Sequence, residues 1–223
     1  MMIRSLPLGL GLLFALAACN TAPPDATADA PAEPVSLDTE PTAAADTAIF
    51  AGGCFWCMEP PYEKLDGVFS VVSGFDGGTS PDPTYDEVAN GRTDYAEAVR
   101  VIYDPEVVDF ETLVEVFWHN IDPLAVDRQF CDRGAQYRSI LFYRNEAQRA
   151  VAERSLEAVD ARFDEPIATT VEPSTEFYAA EDYHQDFYRT NPGRYYSYRE
   201  GCRRDARLEE LWGDDAGKPG PLS

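Results

Sequence analysis

The chain predicts an α+β fold, a two-layer α/β sandwich with a mixed sheet and packed helices in a ferredoxin-like plait. Two observations point there. Short β-branched or apolar runs alternate with segments of helical period, in the order β-α-β, β-α-β, α-β-α. The stretch from about 48 to 213 is long enough for one well-buried core and carries no internal repeat.

Each element has its own signal. Ile49–Ala51 is a short apolar run and reads as a buried strand. Cys54 to about Leu65 reads as a helix, short or distorted because Pro60 and Pro61 each remove a backbone donor. Val68–Phe75 alternates and is β-branched, hence a strand, and the Gly74–Pro81 stretch is turn chemistry. Thr84–Ala89 predicts a short helix stopped by Gly91, and Glu97–Tyr103 a strand ended by Asp104-Pro105. Phe110–His119 has apolar residues at helical spacing. Residues 120–138 show little period and predict a long loop of the kind that often carries function. Ser139–Tyr143 is a strand, followed by a long amphipathic helix over Asn145–Phe163 with Asn145 as its N-cap. Thr169–Val171 predicts a strand, Ala179–Arg189 a helix closed by Asn191-Pro192-Gly193, and Arg204–Trp212 a last helix.

The N-terminal region stands apart. Residues 1–18 hold one basic residue, Arg4, then an apolar run from Leu6 to Ala18, the pattern of a secretory signal. Leu16-Ala17-Ala18-Cys19 resembles a bacterial lipoprotein box, which makes Cys19 the expected lipidation site. Residues 19–47 then read as an acidic, Pro- and Ala-rich tether without aromatic residues, unable to bury enough apolar surface to order itself. The folded domain is expected over 48–213, with a flexible tail at 214–223. These readings place the domain in the cell envelope, anchored to a bacterial membrane. Asn20 after the lipid site, in place of an inner-membrane retention Asp, hints at the outer membrane.

The net charge of −22 argues against nucleic acid as a partner, since phosphates would be repelled. It also disfavours flat docking on anionic lipid. Five cysteines are present: Cys19, Cys54, Cys57, Cys131 and Cys202. Four in an exported domain of this size are too few for a disulfide scaffold, so redox chemistry is the expectation.

The segment that carries chemistry is Gly52-Gly53-Cys54-Phe55-Trp56-Cys57-Met58-Glu59. It puts Cys54 where a strand hands over to a helix. Free N–H groups and the positive end of the helix dipole there favour a thiolate, the nucleophilic form. Phe55 and Trp56 give that sulfur an apolar neighbourhood. On their own, Phe55 and Trp56 would read as core, Tyr85, Tyr137 and Glu97 as structural or surface residues, and Asp132 as a turn residue. His119 and His184 lack metal-ligand spacing with the cysteines, so no metal is expected.

An ordered series of motifs changes those readings. GGCFWCMEP is followed by Pro83-Thr84-Tyr85, Ala96-Glu97-Ala98-Val99, Phe117-Trp118, Asp132–Ser139, Ala180–Gln185 and Asn191-Pro192. Together they resemble the A-type methionine sulfoxide reductases, the peptide-methionine (S)-S-oxide reductases, over roughly 48–195. The resemblance implies a repair enzyme that reduces the S epimer of methionine sulfoxide in oxidised proteins and in the free amino acid. By it, Cys54 attacks sulfur and becomes a sulfenic acid, Glu97 supplies the proton, and Tyr85 and Tyr137 hydrogen-bond the oxygen. Phe55 and Trp56 wall the methyl group, and Asp132 binds polar atoms of the substrate or orders its loop. A thioredoxin-type reductant, no bound cofactor and a monomer are implied.

Several positions depart from the family pattern. Tyr95 and Arg133 stand where members commonly have His, and Cys57 where many have Gly. The C-terminal segment around Cys202 lacks the common Gly-rich tail. Candidates for the thiol that resolves the sulfenic acid are therefore Cys202 first, then Cys57, then Cys131. Two other classes remain open on the residues alone: a thiol–disulfide oxidoreductase using Cys54-x-x-Cys57, and a lipid-anchored binding protein with one structural disulfide.

Overall fold

A computed structural model describes residues 45–220 and 222. The signal, Cys19 and nearly all of the tether lie outside the described residues. The described chain is a mixed α/β fold. A six-stranded mixed sheet has the order β7-β6-β1-β3-β2-β8. Its strands are β1 (Asp46–Gly52), β2 (Val68–Asp76), β3 (Ala96–Tyr103), β6 (Ser139–Tyr143), β7 (Thr170–Pro173) and β8 (Tyr178–Ala179). All pairings are antiparallel except β6–β7.

β1 is the central strand, with Phe50 opposite Val99 of β3 and Leu141 of β6. It is apolar on both faces because both faces are covered. Ala48 and Phe50 join the main core, whereas Ile49 and Ala51 pack with Ala96, Ala98, Ile140 and Phe142 on the other side. The Phe50 ring stacks on Tyr62 at 5.0 Å, Phe117 at 5.7 Å and Phe110 at 6.0 Å. These partners come from α1 (Phe55–Glu63) and α3 (Phe110–Trp118), so one strand residue pins both helices to the sheet. α1 keeps Pro60 and Pro61 within its nine residues.

The Asn145 cap acts as read, accepting the Gln148 N–H at the start of α4 (Glu146–Asp160). At the start of α2 (Tyr85–Ala89), Thr84 and Glu87 form a capping box that the sequence reading did not single out. Three stretches differ from expectation. Residues 120–138 are not a bare loop. They hold a small hairpin, β4 (Arg128–Gln129) with β5 (Asp132–Arg133), and a 3₁₀ turn, Ala135–Tyr137. Two-residue strands leave no period to read.

Ala179–Arg189 is not one helix. It splits into β8, a 3₁₀ turn at Asp182–His184 and α5 (Phe187–Thr190). The Gln185 side chain bonds Ser73 and Ala180, and Asp186 is left-handed at φ 50°, which breaks the helix. Pro192 does not close a helix but opens α6 (Pro192–Gly201), at the position where a missing N–H costs nothing. α7 (Arg204–Trp212) follows as predicted. Beyond it, the Gly217 N–H donates to His119 O at 2.8 Å.

Candidate active site

The site is built where β1 ends. A side chain on Gly52 would meet Met58 at 2.6 Å, and Gly53, at φ +79°, would meet Gln129 at 2.4 Å. Only glycine fits the close approach and the left-handed turn there. The turn delivers Cys54 to the N-terminus of α1, where it is 7% exposed. Cys57, one helical turn on, is 0% exposed and hydrogen-bonded to Cys54.

The charge on this pair differs from the expectation for Cys54. Burial, the bond to Cys57 and the nearby Glu97 push the Cys54 thiol up. Cys57 is lowered to about 6 by the Cys54 hydrogen bond, with Arg204 and Arg199 assisting against burial. The two sulfurs therefore titrate as a pair, with burial opposing and the two guanidinium groups favouring a thiolate on it. The helix terminus alone does not decide the matter because two guanidinium groups from distant helices favour the other sulfur.

Glu97 lies on β3 and is 1% exposed. Its Oε2 accepts the Phe55 N–H at 3.1 Å. Burial raises it to about 8, so at neutral pH it is an acid with a proton to give. Tyr85 opens α2 and Tyr137 ends the 3₁₀ turn. Both phenols are pushed up, Tyr85 to about 12, first by burial and then by Glu97. They remain hydrogen-bond donors throughout the physiological range. Glu97, Tyr85, Tyr137 and Cys54 are therefore brought into one electrostatic neighbourhood.

Phe55 is buried and Trp56 half-buried. The Phe55 ring centroid is 6.2 Å from Tyr85, and Trp56 stacks flat on Phe187 at 3.7 Å. Asp132, on β5, accepts from the Tyr198 hydroxyl of α6. Burial raises its carboxyl. The neighbouring Cys131 is bonded to Cys202 in a disulfide, Cα–Cα 5.0 Å, while Cys54 and Cys57 are free thiols. Cys131, Asp132 and Cys202 place their ligand atoms within 4.8 Å of one another, but both sulfurs are committed to that bond.

Sequence reasoning missed several residues. Arg204 is buried, donates to Asn120 O at 2.7 Å and sits 4.2 Å over the Phe130 ring. The i, i+4, i+8 stripe of Arg204, Leu208 and Trp212, all buried, was its available signal. Tyr198 and Arg199 lie on a helix the sequence did not announce. Glu59 is 0% exposed, with Oε1 accepting from Ser73 Oγ at 2.9 Å and Oε2 unpartnered. Burial raises it to about 8.

Comparison with known proteins agrees with this arrangement. Peptide methionine sulfoxide reductase MsrA of Streptococcus agalactiae is 52% identical over 169 residues, 75% of this chain and 99% of the relative. MsrA of Halalkalibacterium halodurans is 49% identical over 170 residues, 75% of this chain and 97% of the relative. Among solved structures, Mxr1 of Saccharomyces cerevisiae in reduced form superposes with a TM-score of 0.63 at 34% identity, covering 69% of this chain and 90% of that one. Methionine sulfoxide reductase A of Corynebacterium diphtheriae gives 0.62 at 33%, covering 68% and 77%. The family model described as peptide methionine sulfoxide reductase matches residues 46–216, from the first residue of β1 past the end of α7, and the chain belongs to that family.

Proposed function

We propose that this member reduces the S epimer of methionine sulfoxide in proteins with Cys54 as nucleophile, Glu97 as acid and Cys57 as the resolving thiol. The carrying observation is the bond from the Phe55 N–H to Glu97, which holds a protonated carboxyl beside Cys54 and the aromatic wall. As Cys54 attacks the sulfoxide sulfur, its proton passes to the Cys57 thiolate. Glu97 protonates the leaving oxygen, with Tyr85 and Tyr137 donating hydrogen bonds to it. Attack joins Cys54 Sγ to the substrate sulfur; that bond breaks as the protonated oxygen passes from the substrate sulfur to Sγ, leaving a Cys54 sulfenic acid and free methionine. Cys57 then attacks that sulfur, water leaves and a Cys54–Cys57 disulfide remains.

Proximity supports Cys57 over Cys202 and Cys131, which are bonded to each other. An external dithiol of the thioredoxin type closes the cycle by taking up the disulfide. Attack on Cys54 would expel Cys57 as a thiolate, whose charge the Arg204 and Arg199 guanidinium groups favour. The lipoprotein box at Cys19 and the acidic tether support an envelope enzyme held to a membrane, its domain free to reach oxidised methionines on other proteins.

Turnover of the full chain on both epimers of a methionine sulfoxide peptide, with dithiothreitol, tests the chemistry. Activity on the S epimer alone, lost in Cys54→Ser, is expected. No turnover on either epimer would overturn it. For the anchor, the full chain should fractionate with membranes and Cys19→Ser should release it. Identical fractionation of the two would remove the anchor.

A further inference from the structure

Three consecutive residues tie the segment after β8 to the site. His184 Nδ1 accepts the Trp56 indole N–H at 3.1 Å. The Gln185 carboxamide accepts the Ser73 N–H at 2.9 Å and donates to Ser73 O at 3.0 Å and Ala180 O at 2.9 Å. The Asp186 N–H donates to Glu59 Oε1 at 3.4 Å. The left-handed backbone of Asp186 turns the chain just after these anchors.

From this clamp we infer that His184 is a positioning residue, whose neutral imidazole fixes the Trp56 wall of the methyl pocket. The inference rests on the sulfoxide reading of that pocket. An indole N–H only donates, so Nδ1 must be the acceptor and the ring proton must sit on Nε2. That Nε2 is buried without a partner, and His184 is 2% exposed. The same ring lies 4.1 Å from Tyr85 and 5.1 Å from Phe55, so one imidazole touches three aromatic residues of the site.

Trp56 is otherwise held by its faces and edge: Phe187 stacked at 3.7 Å, Arg194 at 5.5 Å and Tyr198 edge-on at 6.1 Å. Stacking leaves the indole free to slide in its plane, and the bond to His184 removes that freedom. A doubly protonated imidazolium has no lone pair and would release it.

The titratable groups around His184 are Tyr85 from α2, Glu181 and Tyr183 from its own turn, and Arg194 from α6. From α1, Phe55 and Trp56 lie against the ring, and Glu59 bonds the Asp186 N–H two residues on. Burial disfavours the imidazolium first, Arg194 adds to this and Glu181 opposes it. His184 is therefore neutral at pH 7 and the Trp56 anchor is lost only in acid.

The test uses the full chain with His184→Phe, which keeps an aromatic ring without an acceptor, and His184→Asn, whose Oδ1 can accept in place of Nδ1. Steady-state turnover of a methionine-S-sulfoxide peptide with dithiothreitol is measured from acid to neutral pH. In parallel, indole N–H signals of tryptophan-labelled protein are followed.

His184→Phe should raise KM about tenfold with kcat within about threefold, and His184→Asn should stay within about threefold of wild type. The wild-type KM should climb toward acid pH, below the ordinary imidazole range, whereas that of His184→Asn should not. The Trp56 signal should move in acid and in His184→Phe. Trp118, bonded to Ser155 Oγ, and Trp212, bonded to Ile121 O, are internal controls that should not move. An unchanged KM in His184→Phe, equal impairment by Phe and Asn, or a stationary Trp56 signal would each overturn the role. A wild type inactive on both epimers would sink the sulfoxide reading instead, and the indole spectrum would still report the bond.

Discussion

The Phe55 backbone N–H and the Glu97 carboxyl group, 42 residues apart in sequence, meet at 3.1 Å in a buried hydrogen bond. The contact joins the first turn of α1 to β3. It fixes the proposed acid, Glu97, beside the proposed nucleophile, Cys54, through main chain, so no side-chain rotamer at Phe55 can disturb it. A single N–H does not offset the cost of burying a carboxylate, and the group stays protonated.

Glu97→Gln should therefore lower kcat by about 10²–10³-fold, since the amide keeps the shape and has no acidic proton. KM should change little. In the wild type, the proton is present below about 8 and lost above it, so the acid-dependent rate should fall as pH rises through that value. Single-turnover rates of methionine release from pH 6 to 9 check this, and a rate that rises monotonically across that range would exclude Glu97 as the acid.

Glu59 makes a stability prediction of the same sign. Its folded pKa is about 8 against an ordinary 4.5, so folding binds a proton that the unfolded chain releases. That stabilising contribution is complete below 4.5 and is lost as pH climbs through 8. Glu59→Gln keeps an acceptor for Ser73 Oγ and removes the titration. The variant should match wild type near pH 4.5 and exceed it by on the order of a few kcal/mol near pH 8. Urea unfolding at the two pH values measures the difference, and an equal offset at both would contradict the linkage.

The resolving thiol separates by trapping. Cys57→Ser should still release methionine but leave a Cys54 sulfenic acid that dimedone captures. Cys202→Ser should leave the Cys54–Cys57 disulfide and no adduct. Loss of the Cys57 base should also slow the first step by about 10–100-fold. A dimedone adduct in Cys202→Ser and none in Cys57→Ser would transfer the role to Cys202.

Much of this site was legible in the chain because its parts lie at element ends with strong local signals. The apolar run before Cys54, the short helix over Thr84–Ala89 stopped by Gly91 and the alternation of β3 placed Cys54, Tyr85 and Glu97 on their elements. What escaped depends on contacts far apart in sequence. The charge on the Cys54–Cys57 pair is set partly by Arg199 and Arg204, from helices folded back over α1. α6 was hidden because its proline reads equally as a stop and a first helical residue, and its Tyr-rich sequence has no apolar stripe. The β4–β5 hairpin is held by the Gln129 amide, which accepts from Asp122 N–H and donates to Asp122 O, bonds that leave no trace in hydropathy.

The Cys131–Cys202 disulfide closes a loop of 71 residues between the strand bearing Asp132 and the end of α6. A loop of that length corresponds to about 4 kcal/mol of lost unfolded-state entropy, the upper end of what such bonds deliver. Cys202→Ser should lower unfolding free energy by about 2–4 kcal/mol in urea. It should also loosen the Tyr198–Asp132 contact, because Cys202 sits one helical turn after Tyr198, its N–H on Tyr198 O at 2.9 Å. With Asp132 proposed to bind polar atoms of the substrate or to order its loop, the kinetic effect should fall on KM with kcat within about threefold. A variant as stable as wild type would mean that the two sulfurs are not bonded in solution. An unaltered KM with the stability loss intact would show that the hairpin and helix hold Asp132 without the cross-link.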